Sequence, residues 1–201
     1  MWQNSKKKKN LQTVDGKLIG VLAIQGDFSL HKKMVERLGV EAIEVRKIEE
    51  LEKITHLIIP GGESTTLLKF FEREGWFEPL MEFSKEKKIL GTCAGAIVLA
   101  EEVENPKQDS LKIIPMKILR NGYGRQVDSF ISEIKNHSFG EKPIEGVFIR
   151  APRILNIKEG VNVLAELKGE PVAVEYKNSI ALTFHPEVSG EEAIYKYFLK
   201  D

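Results

Sequence analysis

The chain's single cysteine, Cys93, stands in Gly91-Thr92-Cys93-Ala94-Gly95, between the apolar pair Ile89-Leu90 and the small apolar stretch Ala96 to Ala100. Strand, sharp turn and helix in that order are the layout of a nucleophile elbow, here with sulfur in place of a serine oxygen. A sharp turn exposes the side chain, small neighbours relieve crowding, and the start of a helix favours negative charge at sulfur. A lone intracellular cysteine is commonly buried as a small hydrophobe, but that role does not ask for glycine on both sides. The pattern points to a nucleophilic thiol.

A nucleophile needs a base, and Phe184-His185-Pro186-Glu187 follows the apolar run Ile180-Ala181-Leu182. A histidine at the carboxyl end of a strand sits where open α/β sheets place functional groups. His185 can accept the thiol proton and return it to a leaving group. Glu187 can hold the imidazole in the right tautomer and stabilise its cation, with Pro186 stiffening the path between them. His-x-Glu alone is weak evidence. His31, His56 and His137 lack such a setting and read as structural.

Pro60-Gly61-Gly62-Glu63-Ser64-Thr65-Thr66 is another junction of strand, loop and helix. Its glycines can present backbone N–H groups to an anion, with Ser64 capping the helix. The loop lacks the lysine of a Walker motif and the third glycine of a dinucleotide fingerprint. Alone it reads as a tight turn and a cap. Beside a cysteine nucleophile, the N–H of Gly62 and that of Ala94 would form an oxyanion hole, where one donor is worth about 2.7–4 kcal/mol.

These motifs need elements to hold them. Leu18 to Ile24, Glu41 to Val45, Leu57 to Ile59 and Ile89-Leu90 are short apolar runs, and helical spacing falls between them at Leu30 to Leu38, Leu67 to Arg73 and Phe77 to Lys87. That alternation predicts a parallel sheet covered by helices on both faces. The second half is strand-like at Ile113 to Leu119, Ser129 to Ile134, Val147 to Ile149, Val161 to Leu167, Pro171 to Tyr176 and Ile180 to Phe184, with a closing helix over Glu191 to Leu199. The expected fold is α/β: a single domain over residues 17–201 with three layers, α/β/α, around a mixed, largely parallel sheet.

With 201 residues, 42% hydrophobic and 30% charged, the chain is ordinary globular material able to bury a core without disulfides. Residues 1–16 carry Lys6 to Lys9 and a net charge of +3, which leaves −3 elsewhere and no basic face for nucleic acid. The lysines read as a solvated tail or an expression remnant. One cysteine excludes an internal disulfide and a multi-cysteine zinc site, and no apolar run is long enough to span a bilayer. A cytoplasmic protein that engages neither nucleic acid nor membrane is expected.

The motifs together resemble the class I, triad-type glutamine amidotransferases, and within them the glutaminase subunits of pyridoxal 5′-phosphate synthase. Six segments carry the resemblance in order: Ala23 to Phe28, Pro60 to Thr66, Gly91 to Gly95, Arg120 to Phe130, Phe148 to Pro152, and Phe184 to Glu187. The elbow and His-Pro-Glu mark the broad class. Gly-Gly-Glu-Ser-Thr-Thr, Tyr-Gly-Arg-Gln-Val-Asp-Ser-Phe and Phe-Ile-Arg-Ala-Pro point to the vitamin B6 branch.

The resemblance implies a flavodoxin-like fold, a glutamyl thioester on Cys93, acid–base work by His185 and orientation of His185 by Glu187. It implies that Gly62, Glu63, Ser64, Arg120, Ile149 and Arg150 contact L-glutamine. It also implies that ammonia passes to a barrel-shaped synthase subunit in a large hetero-oligomer, and that the glutaminase is poor until docked. No metal and no cofactor are implied, since pyridoxal 5′-phosphate is the product of the complex.

Two departures stand out: the tail precedes the point where relatives begin, and Gly122 replaces a common Ser or Ala, which is expected to loosen the loop beside Arg120. The competing readings are a glutaminase of histidine or purine synthesis, a non-catalytic glutamine-binding regulatory subunit, and the cysteine-elbow family of chaperone-like proteins and proteases.

Overall fold

The computed structural model describes residues 16–123 and 129–200. The lysine-rich tail, apart from Gly16, and Gly124 to Asp128 of the long motif lie outside the described residues.

The first half alternates as its apolar runs predict: β1 (Leu18–Leu22), α1 (Phe28–Arg37), β2 (Glu41–Val45), a 3₁₀ turn (Ile48–Glu52), β3 (His56–Ile59), α2 (Ser64–Glu74), α3 (Phe77–Glu86) and β4 (Lys88–Thr92). Then come α4 (Ala94–Leu99), β5 (Ala100–Glu104), β6 (Ile114–Leu119), β7 (Ser129–Ile134), β8 (Asn136–His137) and β9 (Ile144–Ile149). The chain closes with β10 (Arg153–Ile157), β11 (Asn162–Leu167), β12 (Glu170–Tyr176), β13 (Ser179–Leu182), α5 (Pro186–Ser189) and α6 (Glu192–Phe198).

Eight strands form the central sheet in the order β2-β1-β3-β4-β13-β12-β11-β8. The first five are mutually parallel, and β12, β11 and β8 add antiparallel. The parallel strands are buried on both faces, so alternate residues serve opposite cores. Leu57, Ile59 and Ile89 pack with Leu67 and Phe71 of α2 and Leu80 of α3. Ile58 and Leu90 pack with Met34 and Val35 of α1 and Ile194 and Phe198 of α6. That period-two division gives the expected three layers.

Two small sheets fall outside the single mixed sheet expected: β5, β6 and β10 form one, and β7 and β9 form an antiparallel pair. β6 is buried at alternate positions, the mark of a sheet lying with one face on a core. β5 begins where α4 ends, although the sequence there has no helix breaker. The reason is tertiary: the carbonyls of Val98 and Leu99 accept from the N–H groups of Leu111 and Ile113, which ends the helix.

The chain order turns back between β1 and β3, making the topological switch point where such sheets bind ligands. The loops after β1, β3, β4 and β13 carry Gly26, Gly61, Cys93 and His185 to one edge of the sheet.

Candidate active site

Cys93 adopts φ 49° and ψ −102°, a conformation that a side-chain-bearing residue holds only at a cost of about 1–3 kcal/mol. The surroundings fix it there. Its N–H donates to the Leu182 carbonyl at 2.8 Å and its carbonyl accepts from the Ile97 N–H at 3.1 Å. Gly95 explains the flanking glycine, because a Cβ there would lie 2.1 Å from the Ile59 carbonyl oxygen. The elbow is thus seated directly on the backbone of β3. Cys93 is 7% exposed, and its sulfur faces the Ile149 carbonyl at 3.9 Å. Ala94 is the first residue of α4, where leading N–H groups have no acceptor within the helix.

His185 follows β13, the strand beside β4, which brings it to the elbow although 92 positions separate it from Cys93 in the sequence. Its N–H donates to the Val147 carbonyl at 2.8 Å. Glu187 Oε1 is 2.7 Å from His185 Nδ1, so Nδ1 carries the proton that Glu187 accepts and Nε2 is left for the thiol. Nε2 is buried and makes no hydrogen bond of normal geometry among the described residues. Burial opposes protonation of this ring, but Cys93 and Glu187 outweigh it and push the imidazole up to about 10. Burial likewise opposes charge on Glu187, yet His31 and His185 hold its carboxyl below the usual range.

His31 is the residue that sequence reasoning set aside. It is fully buried, its Nε2 lies 3.4 Å from Glu187 Oε2, and its Nδ1 is 2.7 Å from the Tyr195 hydroxyl. The available signal was its place in line with Met34 and Val35 on the buried face of α1, where an apolar residue would be expected. His56, by contrast, packs edge-on against Phe198, as a structural histidine does.

Gly61 forms the wall opposite Cys93. A Cβ there would come 2.6 Å from His185 Cε1 and 3.5 Å from Cys93 Cβ, so only bare backbone fits. Two residues on, the loop is clipped by Gln25, whose Nε2 donates to the Glu63 carbonyl at 2.6 Å. The helix cap differs from expectation. Glu63, not Ser64, is the N-cap, because the chain stays extended through Glu63 and its carboxylate accepts from the Thr65 N–H and hydroxyl. Ser64 is buried and donates to Gln108 Oε1 at 3.3 Å.

Cys93 and His185 open on a cavity of about 350 Å³, a fitting size for one small ligand. Gly62, Glu63, Ser64, Arg120, Ile149 and Arg150 all line it, whereas Glu187 and Ala94 stand behind its wall. Asp27, Ile97 and Asn121 line it too and were not anticipated. Arg120 Nη2 is 2.7 Å from Glu63 Oε1, while Arg150 is exposed and makes no ion pair among the described residues. Gly122 does not loosen this rim. Its N–H donates to the Ala151 carbonyl at 2.9 Å, and a Cβ there would lie 2.4 Å from Arg153 Cγ. The missing side chain lets Arg153 pack across the loop, where it pairs with Glu170.

The arrangement of thiol, imidazole and carboxylate beside a small charged pocket suits acyl transfer from a compact zwitterion. Comparison with known proteins agrees. Pyridoxal 5′-phosphate synthase subunit PdxT of Fervidobacterium nodosum is 47% identical over 184 residues, spanning 91% of this chain and 96% of that protein. PdxT of Pyrococcus furiosus is 46% identical over 192 residues, spanning 90% and 97%. A solved glutamine amidotransferase superposes with a TM-score of 0.85 at 43% identity, covering 90% of this chain and 96% of that one. PurLQS from Thermotoga maritima shares the fold, with a TM-score of 0.66 at 17% identity over 91% of this chain and 97% of that one. Residues 21–201 match the SNO glutamine amidotransferase family, and the chain belongs to it.

Proposed function

We propose that the chain is the glutaminase subunit of a pyridoxal 5′-phosphate synthase, hydrolysing L-glutamine to L-glutamate and supplying the ammonia to a synthase partner. The observation that carries this reading is the line from Cys93 through His185 to Glu187, opening on a small pocket framed by Arg120, Glu63 and Arg150. Family membership and the PdxT relatives support the pathway.

In the reaction the proton of the Cys93–His185 pair rests on Nε2, where Cys93 and Glu187 favour it, and the thiolate attacks the side-chain amide carbon. The N–H groups of Gly62 and Ala94 receive the oxygen that becomes negative. The imidazolium gives its proton to the departing ammonia, leaving a thioester. Water, deprotonated by the same imidazole, attacks the thioester, and the sulfur recovers a proton as glutamate leaves. Glu63 suits the α-ammonium of glutamine and Arg150 its α-carboxylate, with Arg120 holding Glu63 in place. Ser64 and Ile149 complete the walls.

The partner is a barrel-shaped synthase subunit in a large hetero-oligomer, and the Gly61-Gly62 peptide, free of side chains, is the part that docking sets. The setting is the cytoplasm, where a lone thiol stays reduced. Neither cofactor nor metal enters the reaction, and neither nucleic acid nor membrane is a partner. No helix among the described residues is long and apolar enough to cross a membrane. Cys93→Ala is expected to abolish glutamate release from glutamine, assayed with the synthase partner present, while the complex still forms. Continued glutamate production by the variant would show that the nucleophile lies elsewhere.

A further inference from the structure

The hydrogen-bonded line does not end at Glu187. Glu187 Oε1 serves His185, and Oε2 is fully buried with no hydrogen bond of normal geometry among the described residues. The nitrogen facing Oε2 is His31 Nε2 at 3.4 Å, just beyond the usual hydrogen-bond distance and close enough for a direct electrostatic contact. Both side chains are completely shielded from water, so no solvent donor replaces that nitrogen. Nε2 also has Thr92 Oγ1 at 3.3 Å, so a proton on it lies between that hydroxyl and the carboxylate, and on the far side of the ring Nδ1 is 2.7 Å from the Tyr195 hydroxyl.

The protons on this line can be assigned. Burial, the largest influence on His31, pulls its imidazole below the usual value although Glu187 pulls the other way, so the ring is neutral and has one N–H. Burial raises Tyr195 well above the usual phenol value, so it keeps its proton. A carboxylate accepts only, so the single N–H belongs on Nε2 and Nδ1 accepts from Tyr195. The groups facing the ring are Asp27 at the start of α1, Thr92 of β4, His185 and Glu187 after β13, and Tyr195 of α6. Three separate elements therefore converge to fix one carboxylate.

We propose that His31 is a positioning residue for the glutaminase reaction: its Nε2–H, oriented by Tyr195, holds the second oxygen of Glu187 so that the first holds His185 toward Cys93. The inference rests on the function proposed above and extends its working group of three side chains to five.

The single cysteine supplies a direct readout, because an alkylating probe such as iodoacetamide has only Cys93 to modify in the full chain. In the wild type the alkylation rate is expected to fall along an acid limb, where protonation of Glu187 removes the support it gives His185. His31→Leu removes the donor, frees Glu187 to take a proton at higher pH, and is expected to move that limb up by about one pH unit. With the synthase partner present, kcat falls at least about tenfold while KM stays within about threefold. His31→Gln keeps an N–H donor and recovers most of both effects. Tyr195→Phe, which keeps the ring packing, shifts the limb in the same direction by less and covers the case in which His31→Leu does not fold.

A folded His31→Leu or Tyr195→Phe with the wild-type profile overturns the proposal, as does a His31→Gln no better than His31→Leu. The glutaminase reading fails separately: His185→Ala alkylated with the wild-type pH profile would remove the base itself, whatever His31 does.

Discussion

The two ends of the pocket are built differently. At the chemical end Cys93, His185 and Glu187 are 7%, 6% and 5% exposed, and the first two are held by main-chain hydrogen bonds to β13 and β9. The backbone of the elbow lies directly on β3, and that of Gly61 lies against the imidazole. At the substrate end Arg120, Asn121 and Arg150 sit on loops, with Asn121 and Arg150 in left-handed conformations. The ion pair there joins Arg120 to a Glu63 side chain that is about half exposed. Groups that must meet within a few tenths of an ångström are fixed by backbone contacts, which have almost no slack. In the proposed function, the groups that admit and release glutamine are side chains free to exchange one ionic partner for another.

The hardest test of that contrast is Gly61→Ala. The new methyl carbon would meet His185 Cε1 at 2.6 Å, so the imidazole or the loop has to move. A displacement near 1 Å at reacting groups costs about a hundredfold. We expect kcat with glutamine to fall by about that factor or more, with the thermal midpoint lowered only a few degrees because the loop borders a cavity. Near-normal turnover would mean that the wall beside His185 yields, and that the chemical end is no stiffer than the rim.

Arg120→Met probes the other end. The pair with Glu63 is worth about 0–1 kcal/mol to the fold, so stability should hardly change. KM for glutamine should rise about tenfold or more, since Glu63 loses the cation that aims it, and kcat should stay within about threefold. Steady-state kinetics with the synthase partner decide the matter. A fall in kcat with unchanged KM would move Arg120 to the chemical end.

How much of this was legible follows the same division. The runs at Glu41 to Val45 and Leu57 to Ile59, the elbow and the late His-Pro-Glu were readable because local pattern and position in the fold coincide there. The six pocket residues came with the motifs, and all six line the cavity. What stayed hidden was settled by contacts between distant segments. His31 shows locally only that a polar residue stands on the buried face of α1, since its partners Glu187 and Tyr195 lie more than 150 residues away. Strand β5 follows α4 without a loop because the N–H groups of Leu111 and Ile113 take the final carbonyls of α4. The cap passed from Ser64 to Glu63 because Ser64 turns inward to Gln108. Gly122 looked like a weak point until Arg153 was seen to occupy the space.

The smallest effect expected tests whether the chemical end behaves as one electrostatic unit. His185 has its folded value raised from 6.5 to about 10; burial works against this, and Cys93 and Glu187 overcome it. A base held protonated by the fold adds stability that is fully present below its unfolded value, so the contribution is complete below pH 6.5 and is lost as pH rises toward 10. Cys93→Ala removes one of the two groups responsible and leaves Glu187. Between pH 7 and 10 the thermal midpoint of the wild type should therefore fall further than that of Cys93→Ala, by about 2–5 °C, and the variant's decline should be complete at lower pH. Surface lysines and the raised tyrosines titrate alike in both proteins and cancel in the difference, while the unfolded wild-type thiol, which ionises at about 8.5, concentrates the wild-type fall in the upper part of the range. Parallel curves would mean that Cys93 and His185 do not share a proton in the resting fold, and that the pairing at the chemical end is made only when the ligand arrives.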